Sequence, residues 1–387
     1  MKILIVVESH SSRAGGGPIY WAELSSRLIH RGHDVVILSG IEPGAPFASP
    51  NTIGFFSVRP DLRRRTPRTL LSRLFFSLRF NPAVRAFARK WKPDIIHTVP
   101  PIASEAALGA GKTIGAPVVA SVLSHVEAQW KTLEPHPFRS AIFHLLERRA
   151  IQRPFSKIIC ITKHSRKVLL AEGVPPERVV YVPHAVDTEK FNPKVKPLFR
   201  DRLELGENSF VIGYAGTLTK DKGIDQLIRS LALLKHRQNL HLILAGVGED
   251  RLYFEQLVLR LGLRNVTFLG AISHDTMPAF MSSLDLYAVP SYTETLPTTV
   301  LEALSTGTPV IASAVGGVAD FLQNKIGILI QTPEEGEIAE AIDEWLERRT
   351  ELKQMGNLGR RLVLENHSWQ KTSIQTEEVY RQCLKEN

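Results

Sequence analysis

Short β-branched runs alternate with helix-length segments along almost the whole chain, and no other feature narrows the possible folds as far. In the first half the runs are 3–7 (ILIVV), 34–38 (DVVIL), 93–97 (PDIIH), 116–122 (APVVASV), 157–162 (KIICIT) and 179–182 (VVYV). In the second half they are 210–216 (FVIGYAG), 240–246 (LHLILAG), 265–270 (NVTFLG), 284–290 (LDLYAVP), 308–313 (TPVIAS) and 327–331 (GILIQ). Strands this continuously apolar belong to parallel sheets covered by helices on both faces. Two such series predict an α/β protein of two Rossmann-like, doubly wound, parallel-sheet domains. The 387 residues suit two domains of about 190 each. The proline- and charge-rich stretch 183–201 reads as the linker. It separates an N-terminal domain, 1–185, from a C-terminal domain, 186–367, and an amphipathic helix follows over 368–387. In such folds ligands gather at the carboxyl ends of the strands, so the cleft between the domains is the expected active site.

Hydrophobic residues make up 43% and charged residues 22%, enough apolar material for two cores and against wholesale disorder. No stretch approaches the roughly 20 apolar residues of a membrane-spanning helix. The opening MKILIVVESH reads as a first strand and not a secretory leader. A soluble, cytoplasmic protein is therefore expected. Two cysteines, Cys160 and Cys383, make neither a disulfide framework nor a tetrahedral zinc site. Cys160, inside SKIICIT, reads as a small buried hydrophobe.

The formal net charge of +9 is unevenly placed. Between Arg59 and Lys92, Arg63, Arg64, Arg65, Arg68, Arg73, Arg79, Arg85, Arg89 and Lys90 face only Asp61. Such a bias suits an anionic partner. Leu70, Leu71, Leu74, Phe75 and Leu78 can share a helical face flanked by these arginines. Peripheral docking on the inner face of an anionic membrane and an ordinary domain helix with a solvated basic face both fit.

Several motifs do not carry the chemistry they resemble. ALGAGKT (107–113) ends like a phosphate-binding loop, but Ala106 stands where the first glycine is required, and the segment closes a helix and precedes a strand. Gly111 reads there as a helix C-cap. Gly246-Val247-Gly248 has Arg251 in place of a third glycine and no acidic residue clearly placed at the end of the following strand, which disfavours a nicotinamide enzyme. His30, His33 and His144 stand alone, as surface or capping residues do.

Three constellations remain. Gly15, Gly16 and Gly17, followed by Pro18, run into a helix N-terminus, where bare amides and the helix dipole can cradle an anion. A strand ending at Gly216 leads to Lys220 and Lys222 and then Gly223, which places two ammonium groups beside a strand-to-helix turn to hold a diphosphate. Last, PSYTETLPTTVLEALSTGTPVIAS puts Glu294 in a loop after a strand and Glu302, seven intervening residues later, on a helix starting near Pro297. Val300, Leu301 and Leu304 supply that helix's packing face, so Glu302 is expected to look toward the cleft or solvent, where a carboxylate accepts two ribose hydroxyls. Glu294 can reach the sugar.

This last segment, followed by GG and a GILI strand, resembles the paired-glutamate signature of the retaining group 1 glycosyltransferases, the family of sucrose synthases and phosphatidylinositol mannosyltransferases. GGGPIY, SHVEAQW (124–130), PHAVDTEKF (183–191), AGTLTKDKG (215–223), LAGVGEDRL, VTFLG and the terminal SWQ helix follow in the family's order. The resemblance implies the GT-B fold, two Rossmann-like domains facing a cleft that holds a nucleotide-sugar donor, with the C-terminal helix crossing back to the first domain. By the same resemblance Glu302 binds the donor ribose, Glu294 contacts the donor sugar near its C3 hydroxyl, and His125 faces the transferred sugar. Lys222 neutralises the diphosphate, helped by amides of Gly16 and Gly17 and those following Glu294. Glu294, His125 and Lys222 would then be catalytic, and Gly216, Thr217, Leu296, Thr298 and Thr299 join the donor-binding set. The implied mechanism is front-face transfer with retained configuration, in which the leaving phosphate oxygen takes the acceptor proton. It needs no metal, no cofactor and no dedicated base, only charge stabilisation on the leaving group.

The chain departs from the family pattern in three places. Thr217 stands where many members have arginine, leaving the phosphate load to Lys222 and Lys220. Thr295-Leu296-Pro297 replaces a Phe-Gly pair, and since Pro297 has no N–H, Thr298 and Thr299 are the donors expected there. His184-Ala185 replaces Asn-Gly. The expected function is transfer of a hexose to a lipid-linked or polysaccharide acceptor in cell-surface polysaccharide, lipopolysaccharide or glycolipid synthesis, with no nucleic-acid partner. A soluble sugar or sugar-phosphate acceptor, or a silent nucleotide-sugar-binding protein, are the alternatives.

Overall fold

A computed structural model describes residues 1–10, 16–41, 47, 49–57, 67–123, 137–234, 239–323 and 325–387. The chain divides into two compact units, Met1–Pro183 with Trp369–Asn387, and His184–Ser368. The first unit holds the strands β1 (Lys2–Ser9), β2 (Asp34–Ile41), β3 (Thr52–Ser57), β4 (Ile95–Thr98), β5 (Val118–Val122), β6 (Lys157–Cys160) and β7 (Val179–Tyr181). Its helices are α1 (Gly16–His30), α2 (Pro67–Trp91), α3 (Ile102–Ile114), α4 (Pro137–Ile151) and α5 (Lys163–Ala171). The second unit holds β8 (Phe210–Ala215), β9 (Leu240–Ala245), β10 (Val266–Gly270), β11 (Leu286–Val289), β12 (Val310–Ser313) and β13 (Ile328–Ile330). Its helices are α6 (Leu198–Arg202), α7 (Ile224–Leu233), α8 (Arg251–Arg260), α9 (Met277–Ser282), α10 (Thr298–Thr306), α11 (Gly316–Leu322), α12 (Glu335–Glu347) and α13 (Arg349–Asn366). A last helix, α14 (Trp369–Glu386), belongs to the first unit.

Both sheets are parallel and doubly wound. Their strand orders are β3-β2-β1-β4-β5-β6-β7 and β10-β9-β8-β11-β12-β13. In each, the chain winds outward to one edge and then returns to pair beside its first strand, so β1/β4 and β8/β11 are the switch points where ligands bind in open α/β sheets. All twelve runs read from the sequence are strands; β3, TIGFFS, is an addition, a short edge strand interrupted by Gly54. Apolar side chains cover both faces of the second sheet. On one face Ile224, Leu227, Ile228 and Leu231, spaced to one stripe of α7, are fully buried. On the other, Val300, Leu301 and Leu304 of α10 are buried with Val211 and Tyr287.

Two local expectations change. The stretch from 184 to 197 is not a free spacer: Val186 and Phe191 are buried in the second unit's core, and Val186 bridges to Ser368. Gly111 lies inside α3, where a Cβ would collide with Val118 of β5, and the left-handed cap is Gly115, with φ of 71°. In α2, Phe80, Val84 and Ala88 form a buried stripe at four-residue spacing, while Arg79, Arg85, Arg89 and Lys90 are exposed. The guanidinium of Arg85 lies over Gly109 of α3. The side chains of Leu70, Leu71, Leu74, Phe75 and Leu78, and the residues Arg63, Arg64 and Arg65, lie outside those described.

The terminal helix is fixed by polar contacts as much as by apolar ones. Tyr380 is fully buried, its hydroxyl 2.5 Å from His97 Nδ1, and His97 Nε2 lies 2.8 Å from Ser121 Oγ. Burial pulls the His97 pKa down to about 3, so the ring is neutral at physiological pH. One turn away, Glu377 accepts hydrogen bonds from Arg31 and Arg381 and lies 3.3 Å from His33 Nε2. Cys160 and Cys383 are free and buried, with thiols pushed up by burial to about 12 and about 11.

The carboxyl-edge loops of the second sheet are laced together by backbone. Leu218 N–H donates to Val247 O at 3.0 Å, Gly246 N–H to Gly270 O at 2.7 Å, and Tyr292 N–H to Asp221 O at 3.0 Å. This approach leaves no room for side chains. A Cβ on Gly223 would collide with Pro290 O, one on Gly246 with Gly216 O, and one on Gly248 with Leu218 O. The Gly-Val-Gly pair thus serves loop packing, which explains a fingerprint without its third glycine. Gly223 also has φ of 64°, a conformation that disfavours any side chain.

Two stability tests follow from these contacts. Gly223→Ala should lower the melting temperature, at a cost of about 2 kcal/mol or more. Gly336→Ala, in α12 with nothing within 4 Å of the new methyl, should leave it unchanged or raise it. For Glu377, burial alone would raise the pKa, but hydrogen bonds from Arg381 and Arg31, with the His33 ring close by, outweigh it and hold the carboxyl down from 4.5 to about 2. A lowered folded-state pKa stabilises above the unfolded value and is lost as pH falls from about 4.5 toward 2. Glu377→Gln should therefore cost about 1–3 kcal/mol at pH 7 in denaturant titrations. The gap to the unsubstituted protein should close as the titrations are repeated at pH 4 and pH 3.

Candidate functional site

The second sheet's switch point brings the lysine loop and the first glutamate loop side by side, because β8 and β11 are neighbours. The loop after β8 makes one 3-10 turn, Lys220–Lys222, and Gly223 then reverses it into α7. Lys222 Nζ donates to Glu294 Oε1 at 2.7 Å, and Ser291 Oγ donates to the same oxygen at 3.0 Å. Lys222 also stands 3.9 Å from Asp221. Both members of the pair keep some exposure, with side chains 24% and 16% accessible, so a ligand can reach them. Lys220 points elsewhere. Its ammonium sits 4.3 Å over the Tyr253 ring, a cation–π contact that gives it a partner away from Glu294.

Of the two directions expected for Glu302, cleft or solvent, the second is not taken. The residue is 2% exposed, as buried as Leu301 and Ala303 beside it on α10. One oxygen, Oε1, lies 3.2 Å from His274 Nε2. The other, Oε2, is buried with no hydrogen-bond partner among the described residues. An unsatisfied buried carboxylate oxygen is costly, and it is the acceptor that a hydroxyl donor from outside the chain would satisfy. Glu302 and Glu294 address the same buried phenol. Burial raises the Tyr287 pKa, and both carboxylates push it further. Tyr287 donates to Ala215 O at 3.0 Å, and Tyr214 donates to Thr217 O at 2.9 Å, so two buried tyrosines brace the start of the lysine loop.

The remaining expected donor-binding residues of the second unit fall on the same rim. Gly216 and Thr217 are exposed where β8 ends, and Leu296 is buried in the core, which leaves only its backbone to face a ligand. Thr298 and Thr299 open α10, where first-turn amides have no partner within the helix. Thr298 Oγ1 is 3.4 Å from His184 Nε2, and Thr299 bonds Tyr287. His184 accepts the Ala185 N–H on Nδ1, and burial lowers its pKa to about 4. In the first unit, Gly16 and Gly17 form the start of α1, after β1 and beside that sheet's own switch point. Gly15 and His125, with the SHVEAQW segment, lie outside the described residues.

The sequence reading did not identify His274, Ser291, Tyr214 or Tyr287. No spacing rule marks His274 or Tyr287, which meet Glu302 and the start of the lysine loop only across long separations in sequence, whereas Ser291 and Tyr214 act over three residues, on Glu294 and Thr217, inside the motif segments themselves. Among the described residues, no group of three or more His, Cys, Asp and Glu is placed to hold a metal ion.

Comparison with known proteins supplies a family. Residues 195–362 match the family model "Glycosyl transferases group 1", and residues 14–190 match "Glycosyltransferase Family 4". An uncharacterized glycosyltransferase of Methanocaldococcus jannaschii is 26% identical over 98% of both chains. The MMP α-(1→4)-mannosyltransferase of Mycolicibacterium hassiacum is 24% identical over 99% of this chain and 98% of its own. The solved sucrose-phosphate synthase of Thermosynechococcus elongatus superposes with a TM-score of 0.84 at 22% identity, over the whole of both chains. With two glycosyltransferase domain models matched in succession and a GT-B architecture of two parallel sheets, the chain belongs to the group 1 glycosyltransferases.

Proposed function

We propose that this glycosyltransferase is a retaining hexosyltransferase that draws its sugar from a nucleoside diphosphate sugar and delivers it to a lipid-linked or polysaccharide acceptor. The observation that carries the reading is the buried, unpartnered Oε2 of Glu302, which shares the Tyr287 neighbourhood with the Lys222–Glu294 pair. Glu302 holds a ribose hydroxyl. Lys222 leaves Glu294 for the diphosphate, and the freed Glu294 carboxylate accepts a hydroxyl of the donor sugar. The first-turn amides of α10 add positive potential toward the same phosphates. As the glycosidic bond to phosphate breaks, the charge on the departing oxygen meets Lys222 and those amides, the preorganised term that usually dominates catalysis. That oxygen then accepts the proton of the incoming hydroxyl on the same face of the sugar, so configuration is kept and no metal enters. The α-(1→4) linkage in the name of the mannosyltransferase relative agrees with retention from an α-linked donor.

A membrane-associated acceptor is supported by the exposed Arg79, Arg85, Arg89 and Lys90 on α2. No helix among the described residues is long and apolar enough to cross a membrane, so association by this route would be peripheral.

A thermal-shift panel with UDP, GDP, ADP, CMP and NAD, run in a chelator, tests the donor reading. One nucleoside diphosphate at about a hundred times its Kd should add roughly 2.7 kcal/mol and raise the melting temperature by several degrees. A response to NAD alone, or to none, rejects it. Glu294→Gln should still bind that nucleotide yet lose about 10²–10³-fold in turnover; unchanged turnover removes Glu294 from the chemistry, and product of inverted configuration by NMR removes the front-face mechanism. For the acceptor, the protein should sediment with phosphatidylglycerol vesicles at low salt and be released by about 0.5 M salt; failure to sediment favours a soluble acceptor.

A further inference from the structure

Glu302 is steered by a residue that is itself steered. His274, in the loop after β10, faces Glu302 Oε1 with Nε2 at 3.2 Å and Lys190 Nζ with Nδ1, also at 3.2 Å. An ammonium has only protons to give, so Nδ1 must be the accepting nitrogen, and the ring's one proton resides on Nε2. That proton is donated to Glu302. Lys190 is held in turn. Its ammonium bonds Asp275 at 2.7 Å, and its backbone N–H, with that of Glu189, donates to Asp187 Oδ1 at 3.0 Å. The next residue, Phe191, is 1% exposed and lies with its ring 5.5 Å from the His274 ring. The turn over 187–191 thus carries a charge and an aromatic face that together fix one tautomer and one orientation of His274.

We propose that His274 is a positioning residue, set by Lys190 as the Nε2–H tautomer, that engages Glu302 Oε1 and so leaves Oε2 directed at a ribose hydroxyl. The inference rests on the donor reading above, and it adds the origin of the carboxylate's orientation. A buried carboxylate free to rotate would offer either oxygen, and only an oriented one can distinguish a ribose from a deoxyribose sharply. His274 is half-buried and touches no ligand in this scheme. Its effect therefore falls on recognition of the sugar hydroxyl and leaves the diphosphate grip of Lys222 intact.

The test compares UDP, GDP and ADP with their 2′-deoxy forms by isothermal titration on the full-length protein. The unsubstituted enzyme should prefer the ribonucleotide that it binds by about tenfold or more, the worth of a hydrogen bond to a buried carboxylate. Glu302→Gln should lower that preference. His274→Ala should lower it by a similar factor while changing deoxynucleotide affinity less than threefold. His274→Gln, which can place an amide N–H near the Nε2 position, should restore most of it, and His274→Met, similar in bulk with no donor, should not. Lys190→Met should shift the preference in the direction of His274→Ala. If the unsubstituted enzyme binds none of these nucleotides, or binds ribo and deoxy forms equally, the donor reading fails and this inference falls with it. If Glu302→Gln loses the preference and His274→Ala keeps it, only the positioning role of His274 is overturned. Equal behaviour of His274→Gln and His274→Met overturns it too, since packing alone would then account for the effect. Should His274→Ala not fold, the contrast between the Gln and Met variants decides.

Discussion

Backbone packed against backbone at the carboxyl edge of the second sheet is the constraint on which the candidate site depends. Lys222 and Glu294 lie in loops 72 residues apart, yet their side chains meet at 2.7 Å. They meet because Gly223 lets the lysine loop pass directly beneath Pro290 O, and because Tyr292 N–H ties the glutamate loop to Asp221. Gly246 and Gly248 allow the loop after β9 to close in on the same strand end. Any side chain at these positions would open the spacing by a bond length or more, and a charge pair is sensitive to distances of that order.

Lys222 and Glu294 are arranged so that each has a structural partner it could exchange for a ligand. The Lys222–Glu294 pair is compact and partly exposed, and such pairs cost little to open. Glu302 is different: it is buried, one oxygen is engaged and the other is not. The protein tolerates that deficit because α10 is otherwise anchored by Val300, Leu301 and Leu304 in the core. Stability is thus supplied by apolar packing around a polar position that is left unfinished, at some thermodynamic cost.

Much of this was legible from residue order. Continuous apolar runs separated by helical segments fix parallel strands, and twelve of the thirteen strands among the described residues follow from that pattern alone; β3 escapes because Gly54 breaks its short run. The lysine loop, the glutamate loop and the helix after Pro297 are local features, and local chemistry announces them. Glu302's burial was not legible, since a charged residue beside Leu301 and Ala303 reads as facing the cleft or solvent until the helix is seen with its neighbours buried on every side. Gly111 was likewise read as a cap, when its reason for being glycine is the Val118 side chain of a neighbouring strand.

What the sequence determined by itself is the class of fold and the identity of the charged groups, because backbone periodicity and turn chemistry act over a few residues. What only the tertiary structure decided is their pairing: which lysine meets Glu294, which oxygen of Glu302 is left open, and that His274 and Lys190 stand behind it. Lys220 and Lys222 are indistinguishable in composition and sit two residues apart. One is drawn over the Tyr253 ring and the other to a carboxylate, and the difference arises from the direction each side chain leaves a single 3-10 turn. Such choices depend on angstrom-scale distances between strands far apart in the chain, where geometry takes over from sequence pattern.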